Sequence, residues 1–359
     1  MWHAVQPRHR SRADQVERRP RGLAGKRHRA LRRPRGRNHI YGVRRESIER
    51  VAVIFPGALG DFLLALPALR ALRARDAKAR LTVVVGASLV ALARLAGIAD
   101  EVASLDAASS AWLFGGTASP PWLAGRPTIY SWLGSGDPAV RARVARAACA
   151  AHFFAIERGA GPRHAAAAYA RAVGAPASLA ALGEAGRLEP PPSPAGDRLY
   201  AALRAPVLAI HPGAGAPQKR WAVGGFVEVA GWWRGRGGSV LEVAGPAEAA
   251  SGSLVGAPLA RDLALPDLAA VLARATLYVG NDSGVSHLAG AVGAAGVVLF
   301  GPTSARRWRP LAGRLTPVEA LGGGEPAGVP FAALPPARVI AACERILGTR
   351  RERAVALSS

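Results

Sequence analysis

Short apolar runs alternate with helical patterns along most of this chain. The runs at 51–55 and 81–85 lie in the first half, and those at 207–211 and 296–300 lie in the second. Runs of this length without charged residues are typical of strands that a parallel sheet buries on both faces. Stretches with apolar residues at helical spacing, such as 267–274, lie between the runs. The alternation predicts an α/β protein whose parallel sheets are covered by helices.

The same patterns place the remaining elements. Further strands are predicted at 101–105, 128–132, 239–243 and 276–279. Helices are predicted from Asp61, near Val285, and at 88–96, 138–150, 164–173, 224–234 and 336–347.

The pattern pauses once and then restarts, which predicts two domains. The pause at 188–196 is rich in Pro and has no periodic apolar face, so it is typical of a linker. We expect a first doubly wound domain at 50–187, a linker at 188–205 and a second doubly wound domain at 206–335. The segment 336–359 adds a helix and a tail, and whether this helix crosses back to the first domain is open.

One stretch combines strand, turn and helix signals with a high density of polar residues. Residues 279–289 read V-G-N-D-S-G-V-S-H-L-A, and L-F-G-P-T follows at 299–303. The glycines break the strand and permit a sharp turn, and a helix starts near Val285. Because the first amides of a helix lack internal acceptors and its dipole is positive there, a phosphate or diphosphate suits this loop. The alternative is that Asp282 and Ser283 only cap the helix.

Polar segments follow the ends of four predicted strands. These segments are Asp61, 211–219, 245–248 and 281–287. The carboxyl ends of parallel strands meet at one edge of a sheet, where ligands of such folds bind. All four segments can therefore face one cleft between two domains, which carries more weight than any single motif.

About half of the excess positive charge lies in a short N-terminal arm. Residues 1–50 contain 16 Lys and Arg against 4 Asp and Glu, which gives +12 of the total +23. The arm at 1–49 has no apolar periodicity, so we expect it to be disordered. It can be interpreted as a nucleic-acid or anionic-lipid binder, or as an Arg-rich targeting peptide. We favour a mis-assigned start, because Met1 is the only Met of the chain.

Composition argues against several classes of protein. Cys149 and Cys343 have neither disulfide nor zinc-site spacing, so a reducing cytoplasm is the expected location. No apolar core follows the basic residues of the arm, which argues against a secretory signal peptide. The longest apolar stretches, 62–69 and 288–300, are too short or too rich in Gly to span a bilayer. We expect a cytoplasmic protein, with peripheral contact at the inner membrane as an open alternative.

Four motifs carry the functional information. They are A-L-G-D-F-L-L-A-L-P-A-L-R-A-L-R at 58–73, H-P-G-A-G…K-R-W at 211–221, N-D-S-G-V-S-H-L-A at 281–289 and L-F-G-P-T at 299–303. Together they resemble glycosyltransferase family 9, the ADP-heptose:lipopolysaccharide heptosyltransferases. The last two motifs are specific in combination, and the resemblance covers residues 51–310. It implies the GT-B fold, in which two Rossmann-like doubly wound domains face a cleft.

The resemblance also implies roles for individual residues. The Asp that matches Asp61 is the proposed general base, which takes a proton from the acceptor hydroxyl. The turn glycines Gly57 and Gly60 leave space for the substrate. The Lys that matches Lys219 neutralises the diphosphate of the donor without a metal ion. The other implied donor-binding residues are Gly213, Glu248, Asp282, Ser283, Gly284, Val285 and His287.

Within the donor-binding set, the resemblance implies which part of the nucleotide-sugar each residue contacts. Glu248 would accept from ribose hydroxyls and Asp282 from sugar hydroxyls, while the amides of 283–285 would donate to the diphosphate. His287 either donates to a phosphate oxygen or packs and holds the loop, and the sequence prefers neither role.

The other assignments have structural alternatives. Lys219 and Glu248 can be solvated surface residues, and Asp61 can be a helix cap. As a carboxylate at a helix start, Asp61 is expected to be held ionised by the dipole and to be a weak base.

The chain departs from the family pattern at two places. Many members have a basic residue at the end of the first strand and Ser or Thr in the turn, where this chain has Phe55 and Gly57. Members often carry Ser or Thr before the Lys, where this chain has Gly215, Ala216 and Pro217. The second departure implies that phosphate contacts there come from the backbone.

We therefore predict an inverting glycosyltransferase that moves a heptose-like sugar from an ADP-sugar to a lipopolysaccharide-core or related glycan acceptor. No D-x-D motif is evident, so we expect a metal-independent reaction without a cofactor. The remaining positive charge suits a phosphorylated glycolipid acceptor at an anionic membrane, and no specific nucleic acid is expected. The alternatives are a nucleotide-sugar epimerase of the same fold and a non-catalytic basic protein that binds nucleic acid or glycan.

Overall fold

Two parallel sheets organise the chain. The computed structural model describes residues 50–245, 252–320, 331 and 334–358. The strands are β1 (Arg50–Phe55), β2 (Arg80–Val85), β3 (Glu101–Ser104), β4 (Thr128–Ser131), β5 (Ala150–Phe153), β6 (Val207–His211), β7 (Ser239–Val243), β8 (Leu259–Ala260), β9 (Leu277–Asn281), β10 (Ala295–Phe300) and β11 (Arg314–Glu319). The first sheet has the order β3-β2-β1-β4-β5 and the second β11-β10-β9-β6-β7-β8. The predicted α/β class with two parallel sheets is confirmed.

Helices cover both sheets. They are α1 (Leu59–Arg75), α2 (Val90–Leu95), α3 (Pro138–Ala147), α4 (Ala165–Ala172), α5 (Leu179–Ala185), α6 (Pro194–Ala201), α7 (Val223–Gly235), α8 (Leu265–Arg274), α9 (Gly284–Ala291), α10 (Ala305–Trp308) and α11 (Pro336–Ser358). Short 3-10 turns lie at Ala87–Leu89, Ala108–Phe114, Pro121–Leu123 and Pro217–Lys219. Among the described residues, no helix is both long and apolar enough to cross a membrane.

The strand order reverses once in each sheet, and both reversals lie beside the predicted site. In the first sheet, β1 has β2 on one side and β4 on the other. In the second sheet, β6 has β7 on one side and β9 on the other. Loops at such a switch point diverge and leave a crevice for a ligand. The polar segments after β1, β6 and β9 start at these points.

Helix α1 joins the two sheets through a shared core. Every residue from Phe62 to Leu69 is buried, so this helix has apolar neighbours on all sides. It packs against α4 and α5 on one side and against α9 of the second sheet on the other. One cluster of buried side chains accordingly includes Phe55 of β1 and Phe300 of β10.

The Pro-rich segment between the sheets contains a helix that its composition conceals. Pro194 occupies the first turn of α6, where its missing N–H costs nothing, and Ser193 caps the helix by accepting from the Gly196 amide at 2.9 Å. The helix packs on α8, where the Tyr200 hydroxyl donates to the Val271 carbonyl at 2.8 Å. The segment is thus fixed to the second sheet at this point.

The last helix packs on the second sheet. The side chains of Val339, Ala342 and Cys343 in α11 are buried in a cluster with Val279 of β9 and Val297 of β10. The sequence left open whether this helix crosses back to the first domain. Its buried contacts lie with α7, β10 and β11.

We expect two glycine substitutions to change stability in opposite directions. A Cβ at Gly290 in α9 would lie 2.7 Å from Pro310 Cβ, whereas a Cβ at Gly231 on the exposed face of α7 would meet open space. Gly290→Ala should lower the free energy of unfolding by about 1–3 kcal/mol through overpacking. Gly231→Ala, the matched control, should raise it by about 0.5–1 kcal/mol because Ala is the better helix former. Urea denaturation measures both, and a stable Gly290→Ala protein would contradict the close packing.

Candidate active site

Two helix starts meet at the pocket that we take as the candidate active site. Helix α1 begins directly after β1 and helix α9 directly after β9. They approach closely because each helix has a glycine at the contact: a Cβ on Gly284 would lie 2.9 Å from Leu59 Cβ, and one on Gly60 would lie 3.1 Å from His287 Cδ2. Both positive helix ends therefore face the same space.

The pocket holds about 300 Å³, at the lower end of the range for small-molecule sites. Residues of both sheets line it: Ala58, Gly60, Asp61, Leu64, Glu157, Gly215, Ala216, Lys219, Asp282, Ser283, Gly284, His287 and Trp308. The described lining thus brings together seven of the predicted site residues, from segments that are up to 227 positions apart in the sequence.

Asp61 lies in the first turn of α1 but does not cap it. Ala58 occupies the cap position, and the Asp61 carboxylate Oδ1 accepts from the Tyr169 hydroxyl at 3.2 Å. Burial raises the pKa of Asp61, and the hydrogen bonds from Tyr169 and the Ala58 amide and the charges of Arg158 and Lys219 act against that rise. The sequence led us to expect a carboxyl held ionised by the helix dipole and therefore a weak base; the pKa is instead raised, because desolvation outweighs these favourable contacts.

Lys219 and Asp282 form an ion pair inside the pocket. Lys219 ends the 3-10 turn after β6, and its Nζ donates to Asp282 Oδ2 at 2.8 Å. The Thr303 hydroxyl donates to the same oxygen at 2.6 Å. The Asp282 side chain is 6% exposed and that of Lys219 31%, so the ammonium reaches the solvent side of the pair. The L-F-G-P-T motif thereby holds the loop motif through its Thr.

Buried hydrogen bonds fix the loop that leads into α9. The Asn281 side chain accepts from the Trp221 amide at 3.2 Å and donates to the Pro212 carbonyl at 2.7 Å. Ser283 caps α9 by accepting from the Ser286 amide at 3.3 Å. This leaves the amides of Gly284 and of the residue after it without an acceptor inside the helix. The loop is therefore both rigid and rich in free donors, as an anion site requires.

His287 lies in the first turn of α9 with its ring against Gly60. Burial lowers the pKa of His287 to about 4, so the imidazole is neutral near pH 7. The negative charge of Asp282 acts in the opposite direction, and His164 and Lys219 add to the lowering. A neutral ring keeps one N–H donor, so the geometry is compatible with both roles that the sequence left open.

Three predicted residues do not line the pocket, and a fourth is not described. The described lining of the pocket does not include Gly57, Gly213 or Val285. A Cβ on Gly57 would lie 2.4 Å from Phe55 Cε1 and 2.8 Å from Asp61 Cβ, so packing requires this glycine, and the space beside it is filled by protein. Glu248 lies outside the described residues.

Sequence reasoning missed four residues around the pocket. Glu157 and Trp308 line it, Tyr169 contacts Asp61, and the Arg307 guanidinium donates to the Glu157 carboxylate at 2.6 Å. Tyr169 and Arg307 are buried, and Arg307 lies 150 residues from Glu157 along the chain. Only the R-R-W-R segment shortly after L-F-G-P-T gave a local signal, since Trp between arginines is unusual.

Comparisons with known proteins agree with this geometry. The family model "Glycosyltransferase family 9 (heptosyltransferase)" matches residues 185–324. No curated protein matches the chain.

Several solved structures have a similar fold. A glycosyltransferase family 9 protein from Veillonella parvula is 20% identical, with a TM-score of 0.63 over 83% of this chain and 97% of its own. The Escherichia coli ADP-heptose lipopolysaccharide heptosyltransferase II is 18% identical, with a TM-score of 0.64 over 84% of this chain and 99% of its own. Heptosyltransferase WaaC of Escherichia coli with ADP is 16% identical, with a TM-score of 0.57 over 82% and 99%.

These likenesses define the class of the fold as that of the GT-B heptosyltransferases. The family 9 model covers the part of the chain that forms the second sheet, which contains three of the four motifs that indicated this family.

Protonation of His287 should make stability depend on pH. The pKa of His287 is about 4 in the folded protein and 6.5 ordinarily. Between pH 4 and pH 6.5 the imidazole is therefore protonated in the unfolded chain but neutral in the folded one. Stability should therefore fall as pH drops from 6.5 toward 4, by at most about 1.4 kcal/mol per pH unit from this group. Urea denaturation across this range should show a shallower fall for His287→Gln. His152→Gln changes an exposed ring and is the control; its free energy of unfolding should depend on pH as steeply as that of the wild type. If this dependence is equally steep for all three proteins, the buried neutral His287 is contradicted.

Proposed function

We propose that this protein is a family 9 glycosyltransferase, and that it moves a heptose-like sugar from an ADP-sugar to a lipopolysaccharide-core or related glycan acceptor, with inversion at the anomeric carbon. One observation carries the proposal: a carboxylate from the first sheet and a cation with a helix start from the second sheet line one pocket. Base and leaving-group stabiliser are the two parts that a single displacement needs.

In the proposed reaction, an acceptor hydroxyl attacks the anomeric carbon of the donor. The bond from that carbon to the diphosphate oxygen breaks as the new glycosidic bond forms, and ADP leaves. Asp61 takes the hydroxyl proton late in the displacement, when the attacking oxygen has become acidic. Its raised pKa supports this role, because burial makes the carboxylate a better proton acceptor.

The departing diphosphate is stabilised by groups of the second sheet. Lys219 and the free amides at the start of α9 supply positive charge without a metal ion. Asp282 Oδ2 already accepts from Lys219 and Thr303, so Oδ1 is the oxygen that accepts hydrogen bonds from the sugar hydroxyls. The ligands of one similar protein support the donor, since Escherichia coli WaaC was solved with ADP and with ADP-2-deoxy-2-fluoro heptose.

Exposed arginines near the pocket support an anionic acceptor. Arg158 acts on Asp61 electrostatically, and Arg306 and Arg309 lie within two residues of the lining residue Trp308. Guanidinium groups suit phosphate, so a phosphorylated glycolipid at the cytoplasmic face of an anionic membrane fits this rim.

Lys219→Met should weaken ADP binding by about tenfold or more, because a charge-assisted contact to the diphosphate is lost. Lys78→Met removes the same charge from an exposed position of the first sheet's domain and is the matched control. Isothermal titration with ADP measures both. If ADP fails to bind the wild-type protein while another nucleotide binds, the donor assignment is wrong.

Asp61→Asn should lower kcat for sugar transfer by about 10²- to 10⁴-fold, the usual share of a general base, and should leave ADP affinity unchanged. Asp197→Asn, whose carboxyl is 71% exposed in a surface pair with Arg274, is the control and should keep full activity. The assay follows ADP release with and without acceptor. An epimerase would instead convert the ADP-sugar to an isomer without acceptor, and full transfer by Asp61→Asn would refute the base.

A further inference from the structure

Tyr169 is held rigidly beside the proposed base. It lies in α4, its side chain is 1% exposed, and its ring meets those of Phe55 and Trp132 edge-on at centroid distances of 5.9 and 6.4 Å. Edge-to-face contacts on two sides fix the plane of the ring and hence the position of its hydroxyl.

The hydroxyl of Tyr169 has two partners that determine where its proton lies. It accepts from the Glu157 amide at 3.1 Å, and an amide can only donate. Its single proton is therefore directed at Asp61 Oδ1, 3.2 Å away. Burial raises the pKa of Tyr169, and the negative charge of Asp61 raises it further. The hydroxyl therefore keeps its proton, and remains a donor, at any pH at which the enzyme is active.

The segment that carries the Glu157 amide is fastened by the second sheet's domain. From α10, the Arg307 guanidinium donates through Nη2 to Glu157 Oε2 at 2.6 Å and to the Arg158 carbonyl at 3.2 Å. Through Nη1 it donates to the Arg163 carbonyl at 3.0 Å. One buried side chain thus holds both ends of the loop 157–163.

We propose that Tyr169 is a positioning residue that aims the Asp61 carboxylate, and that Arg307 fixes the loop on which the second hydrogen bond of Tyr169 depends. The inference rests on the proposed role of Asp61 as the base. The consequence is that the base beside the first sheet is correctly oriented only while Arg307, in α10 beside the second sheet, holds this loop in place.

The electrostatic surroundings of Asp61 make the hydrogen bond measurable. The charged and titratable groups that face the carboxyl are Tyr169 from α4, Arg158 from the loop, Lys219 from the turn after β6 and the neutral His287 from α9; Glu157 faces Tyr169. Donation by Tyr169 stabilises the ionised carboxylate, so removing it raises the pKa of Asp61 further.

Tyr169→Phe removes only the hydroxyl and keeps the ring packing. We expect kcat to fall about tenfold with an unchanged KM for the donor, since the lost contact aims the base and does not bind ADP. The acid limb of the kcat profile should move to higher pH. Tyr200→Phe loses a comparable buried hydroxyl contact between α6 and α8 and should change neither quantity. An unmoved acid limb in Tyr169→Phe would overturn the positioning role.

Arg307→Lys tests the link to the second domain, because one ammonium keeps the charge but not the forked contacts. This variant should lower kcat and move the acid limb in the same direction. The double variant with Tyr169→Phe should lose no more than Tyr169→Phe alone. Losses that multiply would show that Arg307 acts independently and would overturn the link.

A direct titration separates this inference from the proposed reaction. Carboxyl-¹³C aspartate labelling follows the ionisation of Asp61 without any substrate, with Asp61→Asn to assign the signal. In Tyr169→Phe the midpoint should move to higher pH. If it moves while the wild type transfers no sugar, the proposed function fails and the hydrogen bond stands. If the wild type transfers sugar and the midpoint stays, the positioning role fails.

Discussion

The close approach of two helix starts is the constraint on which the rest of this structure depends. Helices α1 and α9 come from different sheets, and their close approach depends on Gly284, where a Cβ would lie 2.9 Å from Leu59 Cβ, and on Gly60, which lies tightly against the His287 ring. The contact puts two positive helix ends on one pocket, an arrangement that negative charge stabilises. Asp61 and Asp282 supply such charge from the protein, and an anionic ligand would add to it. The pocket, its residues and its preference for an anion therefore follow from one steric condition.

Much of the fold was predictable because its strands are buried. The runs at β1, β2, β6 and β10 gave strong signals, since strands covered on both faces tolerate few polar residues. Strands β5 and β11 were missed, because their alternating exposure in short segments weakens that signal. Helix α6 was hidden in a Pro-rich segment, although Pro at a first helical turn is favourable. The missed elements are therefore those whose local sequence does not reveal the packing that stabilises them.

The candidate site was predictable in its residues but not in its electrostatics. Loops at strand ends converge in any doubly wound sheet, so the sequence could place Asp61, Lys219 and Asp282 near one another. The direction of the Asp61 pKa depends on burial by segments far along the chain, which no local pattern reveals. The same is true of Tyr169, which lies 108 residues from the carboxyl that it contacts. Phe55, a departure from the family pattern, packs against this tyrosine, so the two positions form one aromatic cluster.

The shared core has a consequence for how the chain folds. A helix that is apolar on all sides cannot leave one neighbour without exposing a large hydrophobic surface to water. Because α1 belongs to the first sheet and packs on α9 of the second, removing either half would expose to water the apolar surface that it covers on the other. The Pro-rich segment divides the sequence but not the hydrophobic core, so we expect the two halves to unfold in one transition and neither half to be stable as a fragment.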